Sequence, residues 1–148
     1  MNRIYVASSW RNQYQETVVD LLKMDGHDVY DFKNPPHGDG GFHWSAIDPD
    51  WQNWTPEVYR EHLMRSPIAA HGFNADFRAM HWCDTCVLVM PCGRSAHLEL
   101  GWCAGAGKRT MILLENGEPE LMYLIADDIV TSMDEMRRVL GKSEARVA

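Results

Sequence analysis

Five short apolar runs, separated by stretches of helical period, constrain this chain more than any other feature. They are “RIYVAS” (3–8), “HDVYDF” (27–32), “TCVLVM” (85–90), “RTMILL” (109–114) and “DIVTS” (128–132). After the first comes “NQYQETVVDLLKMDG”, with Val18, Leu21 and Leu22 at helical spacing and Gly26 as a stop. “TPEVYREHLM” opens a second helical region, where Thr55 suits a cap and Pro56 the first turn. Pro67 interrupts that region, and “AAHGFNADFRAMHW” carries helical spacing on to residue 82. “SAHLELGWCAGAG” and “MDEMRRVLG” supply the last two helices. Strand and helix in alternation predict an α/β fold, a doubly wound, flavodoxin-like and mostly parallel five-stranded sheet. No repeat or linker divides residues 1–148, which read as a single domain.

Residues 33–54 are the exception. Pro35, Pro36, Gly38, Gly40 and Gly41 precede Trp44, Trp51 and Trp54, with no period. A loop this long in a compact domain is functional or disordered, and its aromatic content favours a pocket wall. The tryptophans suit either stacking on a planar base or a small satellite core under the loop.

In such a sheet, ligands bind at the carboxyl ends of the strands. “ASSWRN”, the tryptophan-rich loop and “PCGRSAHLE” are expected to meet there. A net charge of −7 argues against a nucleic acid polymer, which needs a basic face, but leaves room for one small phosphate. None of the apolar runs approaches the ~20 residues that span a bilayer. A strand starting this early leaves no room for a signal peptide, so a cytoplasmic protein is expected.

The chain has four cysteines, Cys83, Cys86, Cys92 and Cys103, the first two in a C-x-x-C pair. A zinc site needs two more ligands, yet Cys92, His97 and Cys103 fall in no second paired unit. The four read as buried free thiols, with no metal and no cofactor expected.

Glu99 is the acid that asks for a purpose. It stands among Leu98, Leu100 and Trp102, near the start of the helix after the third strand. The helix dipole there favours the ionised form, which suits a nucleophile better than a general acid. A carboxylate that only complements the dipole is the alternative. Asp84 precedes the third strand at its amino end, whereas Asp76 lies eight residues earlier on a helix expected to run antiparallel to it. Eight residues at ~1.5 Å each lift Asp76 about 12 Å toward the carboxyl edge. Asp76 is therefore the expected partner, and Asp84 a loop or capping residue. Tyr5 fits either a phenol bonded to a carboxylate or a core tyrosine. Ser8, Ser9 and Arg11 suit either an anion site or a helix cap. Arg94 and Ser95 open the later helix and offer a second anion contact.

“IYVAS”, “FNADFRAMHWCD”, “HLELGW” and “GKRTMILL”, in that order, resemble the nucleoside 2-deoxyribosyltransferase superfamily over most of residues 3–114. The resemblance implies that Glu99 attacks the anomeric carbon, that Asp76 protonates the departing base, and that Tyr5 positions the glutamate. “SSWR” is similar to the phosphate-gripping turn of the 2'-deoxynucleoside 5'-phosphate N-hydrolases, with Ser9 and Arg11 in matching places and Ser8 where they have glycine. “HLELGWCAGAGK” resembles the cytidylate N-glycosidases. Gly93 replaces an acid or serine that faces the sugar in some members, and Ser95 is the expected substitute. The implied activity is cleavage of a nucleoside 5'-monophosphate through a glycosyl-enzyme, in a homodimer. Base exchange between nucleosides, a non-catalytic nucleotide-binding module and a TIR-type NAD glycohydrolase are the rivals.

Overall fold

The computed structural model describes residues 1–36, 38 and 40–141. Its strands are β1 (Arg3–Ala7), β2 (Asp28–Tyr30), β3 (Thr85–Val89), β4 (Arg109–Leu113) and β5 (Asp128–Val130). Its helices are α1 (Gln15–Met24), α2 (Pro56–Arg65), α3 (Pro67–Trp82), α4 (Arg94–Gly105) and α5 (Met133–Leu140). The chain divides into two compact units: Met1–Asp31 with the chain from Trp82 on, and Phe32–His81.

The first unit holds one sheet in the order β2-β1-β3-β4-β5, with every pairing parallel. This is the doubly wound, flavodoxin-like arrangement the alternation predicts. Its edge strands β2 and β5 are shorter than their apolar runs, in keeping with the blunting of exposed strand edges. Both faces of the central strand are covered, and all five residues of β3 are buried. Burial on both faces is why its sequence reads as a continuous apolar run rather than an alternating one.

Alternation along the strands splits the core into two layers. On one face Ile4, Val6, Val87, Val89, Met111, Leu113 and Val130 pack with Val18, Val19 and Leu22 of α1 and with Met136 and Leu140 of α5. The other face carries Tyr5, Cys86 and Leu88, and α4 lies across it against β1, β3 and β4. Cys103 of α4 accepts a hydrogen bond from Cys83 and donates one to Cys86 on that side.

Polar ties fasten α5 to the start of the fold. Arg137 donates from Nε and Nη2 to the two carboxylate oxygens of Asp25, both at 2.7 Å, and Asp25 is buried. Asn2 N–H donates to His27 Nδ1 (3.2 Å), so Nε2 carries the proton and donates to the Gly141 carbonyl at 2.7 Å. Asp84 is occupied at the amino end of the sheet. It accepts from the Arg3 backbone N–H (3.0 Å) and the Thr85 hydroxyl (2.8 Å), a loop role that matches its place in the sequence.

The second unit is built largely from rings. Thr55 Oγ1 accepts from Val58 N–H and Pro56 opens α2, yet α2 buries no residue. Trp44 meets Phe42, Trp54 and Tyr59 edge-on, with centroids 4.8, 5.9 and 5.4 Å apart. Trp54 stacks on His62 at 4.3 Å. A Cβ at Gly72 of α3 would lie 2.8 Å from Phe42 Cβ, so glycine there admits the ring. Among the described residues no helix is long and apolar enough to cross a membrane.

Candidate active site

The sheet order reverses at β1 and β3, and the turns that leave their carboxyl ends are fastened to one another. The Ser8 hydroxyl donates to the Val89 carbonyl at 2.9 Å. Asn12 Nδ2 donates to the carbonyls of Val89 (3.2 Å) and Pro91 (2.8 Å). Its Oδ1 accepts the backbone N–H groups of Tyr14 (2.7 Å), the N-cap of α1, and of Gln15 (3.0 Å), its first residue. These turns and the one after β4 enclose a cavity of about 350 Å³, lined by Ser9, Arg11, Asn12, Pro91, Cys92 and Asn116.

α4 starts at the carboxyl end of β3, with Gly93 as an extended N-cap that offers no side chain. Ala96, Leu100 and Cys103 are its buried stripe. At 3.6 residues per turn, Glu99 falls about 70° to one side of that stripe and His97 about 90° to the other. His97 Nε2 pairs with the Tyr123 hydroxyl at 2.8 Å, so its flank faces the segment after β4. The flank with Glu99 therefore faces β1, whose Tyr5 lies on the same side of the sheet. Tyr5 is fully buried and its ring stacks on Tyr30, with centroids 5.4 Å apart. Ser95, one turn before Glu99, shares its flank, while Arg94 stands exposed and points away from the sheet. Glu99 is half-buried.

The field of Glu99 is felt at Cys92. Burial, and after it the charge of Glu99, push the Cys92 thiol up to about 12. The other three cysteines are buried free thiols, as read from the sequence, whereas Cys92 is only half-buried. The hydrogen bond to Cys103, then burial, push the Cys83 thiol up. Cys83, Cys92 and Cys103 are therefore held as thiols, not as thiolates ready for attack at neutral pH.

Among solved structures, a 2-deoxyribosyltransferase from Bacillus psychrosaccharolyticus is similar over 90% of this chain and 88% of its own, at a TM-score of 0.58 and 18% identity. The chain has a deoxyribosyltransferase-like fold. A CMP N-glycosidase from Clostridium botulinum, BcmB, aligns over 93% of this chain and 96% of its own, at a TM-score of 0.49 and 16% identity. No protein-family model and no curated protein sequence matches the chain.

Within this deoxyribosyltransferase-like fold, the expected site residues fall into both units. Tyr5, Ser8, Ser9, Arg11, Arg94, Ser95 and Glu99 belong to the first. Of these, Ser9 and Arg11 line the cavity, and Ser8 spends its hydroxyl hydrogen on Val89. Asp76 is half-buried in α3 of the second unit. Trp44 is engaged in the ring cluster there, and Trp51 is the most exposed of the three loop tryptophans, at 37%. Sequence reasoning missed Asn12, Asn116 and the His97–Tyr123 pair. For Asn12 the available signal was an asparagine just ahead of a helix, a common cap residue. It precedes α1 rather than lying inside it.

Proposed function

We propose that the chain is an N-glycosidase that cleaves the base–sugar bond of a nucleoside 5'-monophosphate through a glycosyl-enzyme intermediate. The observation that carries this reading is the position of Glu99. It lies in the second turn of α4, the helix that starts at the carboxyl end of the central strand, on the flank turned toward β1 and its buried Tyr5.

The Glu99 carboxylate attacks the anomeric carbon as the C–N bond breaks, and the bonding pair leaves with the base. Asp76 gives its proton to the departing base nitrogen. A carboxylate here stabilises the oxocarbenium-like transition state and then holds the sugar as an ester. Water adds to the anomeric carbon, Asp76 takes up the proton, and Glu99 is freed. Tyr5 positions the glutamate. Ser9 and Arg11 hold the phosphate, with Ser8 bracing their turn and Ser95 as a further anion contact. A guanidinium beside hydroxyls and free backbone N–H groups suits such an oxyanion. Trp44 and Trp51 wall the base. A nucleotide substrate sets the enzyme in the cytoplasm. The assembly is a homodimer, for which the exposed Leu98, Leu121, Met122 and Leu124 of the first unit supply apolar surface.

The test is incubation with a panel of nucleosides and their 5'-monophosphates, with free base read by chromatography. Base should appear from monophosphates with the wild type and not with Glu99→Gln. Base release from no substrate, or equal release by Glu99→Gln, overturns the reading. If a second base added to the mixture is incorporated into a new nucleoside, the enzyme is the transferase instead.

A further inference from the structure

Asn12 is 5% exposed, and its amide is saturated. Both N–H groups donate, to Val89 O and Pro91 O, and both lone pairs of Oδ1 accept, from Tyr14 N–H and Gln15 N–H. One side chain thus joins the turn after β1 to the turn after β3. These two turns form facing walls of the 350 Å³ cavity, Ser9 and Arg11 on one side and Pro91 and Cys92 on the other. The Ser8 hydroxyl adds a second bond to the same Val89 carbonyl.

We infer that Asn12 is a positioning residue, a clasp that fixes the width of this cavity and thereby the grip of Ser9 and Arg11 on the substrate phosphate. The inference rests on the proposed reading of the cavity as the phosphate end of the site. Capping α1 needs only an acceptor, which aspartate or serine supplies equally well. Reaching two carbonyls needs two donors on the same side chain, which only an amide at this length provides. The choice of asparagine over the other capping residues therefore reports the clasp, not the cap. Aspartate in its place would set a carboxylate oxygen against two carbonyl oxygens and drive the walls apart.

The test compares wild type, Asn12→Asp and Asn12→Ser. It measures inorganic phosphate binding by calorimetry, kinetics on a monophosphate and its parent nucleoside, and thermal midpoints. Asn12→Ser keeps the cap and guards against failure of the aspartate variant to fold. The expected result is phosphate binding weakened roughly tenfold, with a matching rise in KM for the monophosphate. The kcat on the monophosphate and turnover of the nucleoside stay within about twofold, a split that a merely structural role would not produce. Unchanged phosphate affinity in the folded variants, equal loss on both substrates, or a wild type that binds no phosphate overturns the clasp. A wild type that binds phosphate in an Asn12-dependent way but releases no base leaves the clasp standing and sinks only the glycosidase reading.

Discussion

The carboxyl edge of the first unit and the aromatic segment of the second are held together by different physics. The edge is organised by directed bonds. Ser8 and Asn12 alone make five hydrogen bonds to backbone groups there, each between 2.7 and 3.2 Å. Directed bonds fix atoms to fractions of an ångström, which is what attack on a single carbon demands. In the second unit, Phe42, Trp44, Trp54 and Tyr59 meet edge-on or stacked, and the helix they rest on buries nothing. Ring contacts tolerate sliding, and a segment with few buried apolar groups opens at low cost. One region fixes its atoms by directed bonds; the other rests on ring contacts that tolerate sliding.

Glu99→Gln probes this contrast hardest. Base release should fall by about 10³-fold or more, because the ester intermediate no longer forms. The thermal midpoint should hold or rise, since a half-buried charge is replaced by a neutral isostere. A large drop in midpoint with activity retained would place Glu99 in the scaffold.

Asp76→Asn is the next largest effect, and it tests whether the second unit carries chemistry. Loss of a general acid costs roughly 10²–10⁴-fold. The loss should shrink for substrates whose base departs readily without a proton, measured with a nucleotide bearing an activated leaving group. An equal loss on both substrates would make Asp76 a structural residue.

Trp54→Phe sharpens the contrast from the other side. Trp54 Nε1 donates to Asp48 at 2.8 Å, and this bond, ahead of the Asp50 backbone N–H, holds the Asp48 carboxyl below its usual range. A carboxyl whose pKa is lowered by folding stabilises the fold above its unfolded value, near pH 4, and loses that contribution as pH falls through the lower folded value. The midpoint difference between wild type and Trp54→Phe should therefore be larger at pH 6 than at pH 2.5. Calorimetric scans across that range check it, and a difference independent of pH would assign the whole effect to ring packing.

How much of this was legible in the sequence follows the same division. The sheet was legible because strands buried on both faces leave continuous apolar runs such as “CVLVM”, and because Pro67 and Thr55 punctuate the helices where α2 and α3 meet and start. Glu99 was legible as an acid out of keeping with its neighbours. Asn12 was not, because a capping asparagine looks the same whether or not its other half reaches carbonyls 77 and 79 residues away. Trp44 and Trp54 supported two readings equally, since ring clusters and base-stacking walls draw on the same residues. Composition shifts just after Phe32, where Pro35, Pro36 and the glycines begin, whereas nothing in it marks His81.

The smallest effect is expected at Cys92, and it reads the electrostatics of the edge directly. Its thiol sits near 12 mainly through burial, with the negative charge of Glu99 adding to the shift. Removing that charge in Glu99→Gln lowers the cost of forming the thiolate. Alkylation of Cys92 at pH 8.5 should then run faster than in the wild type, by a factor of a few rather than tenfold, because burial persists. Mass spectrometry of the modified peptide separates Cys92 from the three buried thiols. An unchanged rate would mean that the charge of Glu99 does not reach this wall of the cavity.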